Sequence, residues 1–197
     1  MVNIANAISC ARVVLALGTL GLLWLPGDQI RWIAFVLTAL VIYGDALDGY
    51  FARKLNQASK FGGMIDIAGD RIVEMAYWIA FSALGWIAVW VPLLFLVRGN
   101  LVDTIRAIAS EKGFTAFGEK TMMQSRFGKF LVASNFSRFS YALAKALAFC
   151  LLIVAHTSIL KTTFILPTAH FFVYFSCFFC IVRGLPVLLE SSRVIGQ

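Results

Sequence analysis

The chain has 197 residues, 60% of them hydrophobic, and a formal net charge of +7; its mean hydropathy is +0.85. A soluble domain averages roughly 45–50% apolar residues, so these values exclude an ordinary soluble fold and predict an all-α, polytopic membrane protein in a single domain, residues 1–197. The basic residues cluster in particular loops, which reads as the cytosolic charge bias of a membrane protein and not as a nucleic-acid surface.

Six apolar segments follow one another. The first runs from about Ala7 to Leu25 and ends at Pro26-Gly27. It lacks a basic leader and a small-residue cleavage site, and Arg12 interrupts it, so it is not expected to be a cleaved signal. The second begins near Ile30 and continues to about Leu55, and the third runs from Gly63 to Leu84, before Gly85. The fourth covers Trp86 to Ile108, the fifth Phe130 to Ala155 and the sixth Phe164 to Leu188. At about 1.5 Å rise per residue each is long enough to cross the hydrocarbon. The loop after the second segment carries Arg53, Lys54 and Lys60, the loop after the fourth carries Lys112, Lys120, Arg126 and Lys129, and the tail carries Arg193. The opposite loops have only Arg31 and Lys161 near their ends, so both termini and the basic loops are expected in the cytosol. Ser110 to Lys129, polar with scattered Phe and Met, is expected along the membrane surface. Cys10, Cys150, Cys177 and Cys180 all fall in apolar segments; Cys177-Phe-Phe-Cys180 has no second pair, and buried apolar thiols are the better reading.

Against this background four aspartates stand out, at 45, 48, 66 and 70, out of ten acidic residues in all. Asp45 and Asp48 are three apart and Asp66 and Asp70 four apart, which puts each pair on one helix face. Asp45 and Asp70 are centred on 57.5, and Asp48 and Asp66 on 57, inside the polar stretch Asn56 to Lys60. An antiparallel hairpin about that turn brings the four carboxylates to one depth. Their repulsion has three remedies: protonation, a buried arginine, or a hard divalent cation, the most direct. Mg²⁺ or Mn²⁺ bound there would also take substrate phosphates, for which Gly49, Ala52, Gly62, Gly63 and Gly69 leave space, and Arg53, two turns beyond Asp45, is placed for a phosphate. A proton relay or an ion or metal transporter is the other reading of an intramembrane acidic cluster. His156 and His170 lie far along the chain in apolar or opposite-side contexts, and no catalytic role is expected of them.

The pattern Asp45-x2-Asp48-Gly49-x2-Ala52-Arg53-x8-Gly62-x3-Asp66-x3-Asp70 resembles, at each of its eight fixed positions, the signature of the CDP-alcohol phosphatidyltransferase family. The opening Asn3 to Arg12 also resembles an N-terminal pattern common in that family, as do the length and the placing of the motif across the second and third segments. The resemblance implies transfer of a phosphatidyl or similar phosphoalcohol group from a CDP-linked donor such as CDP-diacylglycerol to a small polar alcohol, with release of CMP, in a homodimer of the plasma or inner membrane if the source is bacterial. It implies that Asp45, Asp48, Asp66 and Asp70 hold one or two Mg²⁺ or Mn²⁺ ions. It places Asp48, Gly49, Ala52, Arg53 and Gly62 at the nucleotide and makes Asp70 the general base. The cations Arg98, Arg106, Lys129, Arg138 and Lys145, within or beside the fourth and fifth segments, are candidates for an anionic acceptor such as glycerol 3-phosphate or inositol phosphate; pairing with Glu74 or Asp103, or reaching out to headgroups, is the alternative. The fourth segment resembles that of phosphatidylglycerophosphate synthases, but Ile67 and Arg71 stand where those carry proline and lysine, and an arginine after the last aspartate is seen in the inositol-phosphate branch.

The charge bias makes a direct prediction. In a cysteine-free background, cysteines at Gln57 and Lys120 should resist an impermeant label in intact cells, and cysteines at Asp28 and Ser158 should take it up. Ready labelling at 57 would reverse the orientation.

Overall fold

The computed structural model describes residues 4–54, 60–111, 125, 128–158 and 164–195. They form six α-helices: α1 (Ile4–Leu22), α2 (Asp28–Lys54), α3 (Lys60–Ala83), α4 (Trp90–Glu111), α5 (Asn135–Ala155) and α6 (Ile165–Ile195), with a π-helical turn at Lys129–Ala133 before α5. Among the described residues there is no strand. By length and composition α5 and the Ile165–Glu190 stretch of α6 can cross a membrane, and Asn6–Leu22 is apolar but shorter. Every helix exposes large apolar side chains, among them Val14, Val36, Ile79, Leu96, Phe139 and Phe178, a surface suited to lipid contact. The expected surface segment Ser110 to Lys129 and the turn at 55–59 fall largely outside the described residues.

The chain folds as two compact units, Met1–Val89 with Ala146–His170, and Trp90–Lys145 with Phe171–Gln197. In the first unit α1 packs against both α2 and α3. The break after α1 turns at Gly27, whose φ of 120° only glycine adopts without strain. α3 ends in a Schellman motif: Trp86 N donates to Phe81 O at 2.9 Å and Gly85 N to Ser82 O at 3.0 Å, with Gly85 at φ 74°. Beyond it 85–89 is non-helical, so the fourth helix starts at Trp90 and not at Trp86.

An aromatic cluster fills this unit. Phe149 of α5 stacks on Tyr77 at 4.9 Å and meets Trp78 edge-on at 4.7 Å, and Phe81 lies 5.8 Å from it. The Tyr77 hydroxyl and Thr38 Oγ1 share a buried hydrogen bond of 2.9 Å that ties α3 to α2. Near the turns that follow α1 and α5, Asp28 accepts from the backbone N and hydroxyl of Ser158, and Arg31 donates to the His156 carbonyl. His156 stacks on Trp86 at 4.0 Å and His170 Nε2 lies 3.1 Å from the Trp86 carbonyl, so both histidines serve packing at these turns.

In the second unit Val102 and Ala109 of α4, Val132 of the π turn and Val187 of α6 form the core. The expected fifth segment is not one continuous helix from Phe130. It breaks at Ser134 (φ −68°, ψ 140°), whose hydroxyl caps α5 by accepting from Ser137 N at 3.1 Å. All four cysteines are free; Cys177 and Cys180 are buried, but Cys10 is exposed, against the expectation of burial.

The two kinds of contact that α3 makes, a hydrogen bond to α2 and an aromatic cluster with α5, predict different losses. Tyr77→Phe removes one interhelical hydrogen bond and should lower stability by about 0.6–1.7 kcal/mol. Phe149→Ala empties the centre of the aromatic cluster and should lower it by about 3–5 kcal/mol. Unfolding by SDS titration in mixed micelles measures both, and equal losses would show that the cluster is not the anchor of α3.

Candidate active site

The site begins with a charge in the wrong place. Arg12 is the sole charged residue among the first twenty-seven, and its side chain is only 5% exposed. A cation so placed needs an anionic partner. It finds them on the two helices against which α1 packs. One guanidinium nitrogen donates to Asp45 Oδ1 on α2, and the other donates to Asp70 Oδ1 on α3 at 2.5 Å and lies 3.8 Å from Asp66 Oδ1. The planar fork of arginine suits this two-helix bridge, with one terminal nitrogen for each helix.

Two glycines border the arginine. A Cβ at Gly44 would sit 3.6 Å from Arg12 Cδ, and one at Gly69 would sit 3.3 Å from Val13 Cγ2 and 3.8 Å from the Arg12 guanidinium. Each glycine directly precedes an aspartate of the bridge, Asp45 or Asp70. The helix α1 therefore approaches α2 and α3 closely just where its arginine must reach the carboxylates.

One carboxylate oxygen from each of Asp45, Asp66 and Asp70 lies within 4.8 Å of the others. The three side chains are 51%, 45% and 48% exposed. Arg12 thus closes the buried side of the cluster while the carboxylates stay open on the other. Three carboxylates and one guanidinium carry a formal charge of −2, which one divalent cation balances. Hard oxygen donors on an open face at this spacing fit Mg²⁺ or Mn²⁺.

Among the other expected site residues, Asp48, Gly49, Ala52 and Arg53 belong to α2, but their side chains lie outside the described residues. Gly62 is half-buried in the first turn of α3. Glu74, a possible partner for the distant cations, lies 3.6 Å from Arg71 on its own helix.

The expected acceptor residues belong to the second unit. There the structure adds a residue that the sequence reading passed over, Arg183 of α6, which is 6% exposed. It donates to the carbonyls of Leu131 and Val132 and to the Ser137 hydroxyl, so it satisfies backbone oxygens that the π turn leaves open. Arg98, Arg106 and Arg138 lie within electrostatic range of it, and the Arg98 stem crosses Gly184. Arg138 donates to Asn135 Oδ1, and Lys145 sits over the Tyr141 ring, 4.4 Å from its centroid. Lys129 is exposed at the start of the π turn.

Arg12 was also missed as a site residue, although it ends the N-terminal pattern and stands alone in an apolar helix. Those two signals, with a glycine before each bridged aspartate, were there to be read.

Comparison with known proteins places the chain in a family. The sequence profile of the family described as CDP-alcohol phosphatidyltransferase matches residues 2–182. A probable phosphatidylglycerophosphate synthase of Mycobacterium tuberculosis is 29% identical over 114 residues, 56% of this chain and 54% of that protein. A phosphatidylinositol phosphate synthase of Mycobacterium marinum is 29% identical over 167 residues, 81% of this chain and 67% of that protein. A CMP-forming cardiolipin synthase of Streptomyces coelicolor is 28% identical over 120 residues, 58% of this chain and 54% of that protein. The chain spans about half the length of the first of these relatives. The match of nearly the whole chain to one profile shows that this protein belongs to the CDP-alcohol phosphatidyltransferase family.

Proposed function

We propose that the protein transfers a phosphatidyl group from CDP-diacylglycerol to a small polar alcohol and releases CMP, as a step of phospholipid synthesis. The observation that carries this reading is the open cluster of Asp45, Asp66 and Asp70, drawn from two helices at the positions of the family signature. The protein acts as a six-span membrane protein and a homodimer, with the cluster and both termini on the cytosolic side, where a CDP-linked lipid and a soluble alcohol meet. The exposed apolar faces of all six helices and the loop charge bias support this topology.

Asp45, Asp48, Asp66 and Asp70 would hold Mg²⁺ or Mn²⁺, which supplies neutralisation of the pyrophosphate and of the departing CMP. The chain's own residues do the rest. Gly49, Ala52 and Gly62 leave room for the cytidine nucleotide, and Arg53 takes a donor phosphate. Asp70 accepts the proton of the acceptor hydroxyl as its oxygen attacks the β-phosphorus. The bond between that phosphorus and the oxygen bridging to CMP breaks, and CMP leaves with the electron pair. Such a displacement needs alignment and charge stabilisation and no covalent intermediate on the protein.

The acceptor is a phosphate-bearing alcohol. Arg98, Arg106 and Arg138 lie within electrostatic range of Arg183 in one unit, and guanidinium groups suit a phosphate dianion. Glycerol 3-phosphate is the first candidate, from the synthase relatives of that acceptor. An inositol phosphate is the second, favoured by one observation: the phosphatidylinositol phosphate synthase relative covers 81% of this chain, against 56% for the phosphatidylglycerophosphate synthase.

CMP release by the purified protein, with CDP-diacylglycerol and either acceptor, tests the reading. Chelation should abolish the release and Mg²⁺ or Mn²⁺ restore it; full activity in excess chelator would remove the metal from the reaction. A transporter would release no CMP under any of these conditions.

Asp70→Asn should keep donor binding while turnover falls about 10²–10⁴-fold, the usual worth of general-base assistance. Arg53→Ala should instead weaken donor binding. Near-normal turnover in Asp70→Asn would take the base role from it.

Arg106→Gln should raise the KM for the acceptor by about tenfold, the loss of one charge-assisted hydrogen bond, and leave the affinity for CDP-diacylglycerol unchanged. Steady-state kinetics with each substrate varied in turn would show it, and a change confined to the donor would move Arg106 out of the acceptor site.

A further inference from the structure

We propose that Arg12 is a positioning residue: a built-in counter-cation that holds Asp45, Asp66 and Asp70 together when no metal is bound and that weakens their grip on the metal when one is. The inference rests on the metal reading given above, and it adds a residue outside the Asp45-to-Asp70 signature.

The geometry makes the case. The guanidinium is buried while the three carboxylates it touches are about half exposed. It joins α2 to α3 by one donor to each helix, at Asp45 and Asp70. Its stem passes Gly44, and its head lies against Gly69. These contacts describe a made place for one arginine, not a surface side chain that has drifted onto an acid. Without a cation, three carboxylates within 4.8 Å of one another repel. With Arg12 beneath them they form a stable set before any ion arrives, so little rearrangement is needed to bind one.

The same charge has a second effect. A divalent ion on the open face meets a formal −2 from these four groups, where it would meet −3 without the arginine. A fixed positive charge behind the ligands lowers affinity for a cation in front of them. Arg12 therefore trades tight metal binding for an assembled site in the metal-free protein. These two effects have opposite signs, which separates this role from a merely structural one: loss of a structural residue would weaken metal binding, and loss of a competing charge strengthens it.

The test uses the full-length protein in detergent micelles, with Mn²⁺ alone as the probe. Binding is followed by the electron paramagnetic resonance of free Mn²⁺, and thermal melting is measured with and without the ion. Arg12→Gln is expected to bind Mn²⁺ about tenfold more tightly than the parent, roughly what removing a unit charge several ångströms from a divalent ion is worth under water-like screening. It should melt at a lower temperature than the parent without metal, and Mn²⁺ should raise its melting temperature by more than it raises the parent's. Arg12→Lys keeps the charge and should bind Mn²⁺ within about threefold of the parent, a margin well under one hydrogen bond. It also supplies the answer if Arg12→Gln cannot be purified. Unchanged or weaker binding in Arg12→Gln overturns the proposal, and so does a tenfold tightening in Arg12→Lys, because the charge would not then be the cause. A parent that binds no Mn²⁺ overturns the metal reading together with this one, whereas a parent that binds it normally leaves that reading standing whatever the variants do.

Discussion

One guanidinium shared between two antiparallel helices sets the register on which the rest of the first unit depends. Arg12 reaches Asp45 on α2 and Asp70 on α3, residues centred on 57.5. Two helical turns deeper, Thr38 and Tyr77 share a hydrogen bond and have the same centre. Two independent polar contacts, one charged and one neutral, thus hold α2 and α3 in a single alignment. A slip of one residue along either helix would rotate its partner groups away by about 100°. In an apolar setting the lost partners would not be replaced by water. Polar contacts of this kind add modestly to stability, but they are selective between alignments that apolar packing alone would tolerate.

The second unit treats its buried arginine differently. Arg183 bonds to two backbone carbonyls and a serine hydroxyl, all of them neutral. These oxygens engage the two terminal nitrogens of the guanidinium, while its buried Nε has no hydrogen-bond partner among the described residues, and they leave its net charge in place. Arg98, Arg106 and Arg138 add to the field around it. In the first unit a cation is spent on carboxylates and the surplus is negative; in the second the surplus is positive. That contrast gives the first unit an attraction for cations and the second an attraction for anions.

Much of this was legible in the sequence because it depends on spacing. Intervals of three and four residues place Asp66 with Asp70 on one helix face, and symmetry about a polar turn places Asp45 level with Asp70, as the Arg12 bridge has them. Pro26-Gly27 and Gly85 marked two helix ends, because positive φ is a local property of glycine. The break at Ser134 was not read, since an apolar run on both sides of one serine looks continuous until the hydroxyl is seen capping the next helix. The partners of Arg12 and Arg183 were out of reach for a different reason. Each bonds residues more than thirty positions away, and no local periodicity carries that information. What the sequence did contain was the anomaly: an isolated charge in an apolar helix requires a partner, even before the partner is known.

The bridge also bears on how Asp70 can serve as a base. A carboxylate has about four lone-pair sites, and the guanidinium takes one of them on Oδ1. Hydrogen bonding to the charged form lowers a carboxylate's basicity, so a base bonded to arginine is a weaker one. The neighbouring negative charges of Asp45 and Asp66 act in the opposite direction. Asp70 therefore has a cation on one side and anions on the other. This balance is lost if either side is removed. An aspartate alone in the bilayer would tend to be protonated and inert, and one saturated by arginines would stay ionised but hold a proton poorly. The arrangement of one arginine among several aspartates sets a cation and anions against one another around a single carboxylate, which is the setting the base role proposed for Asp70 would draw on.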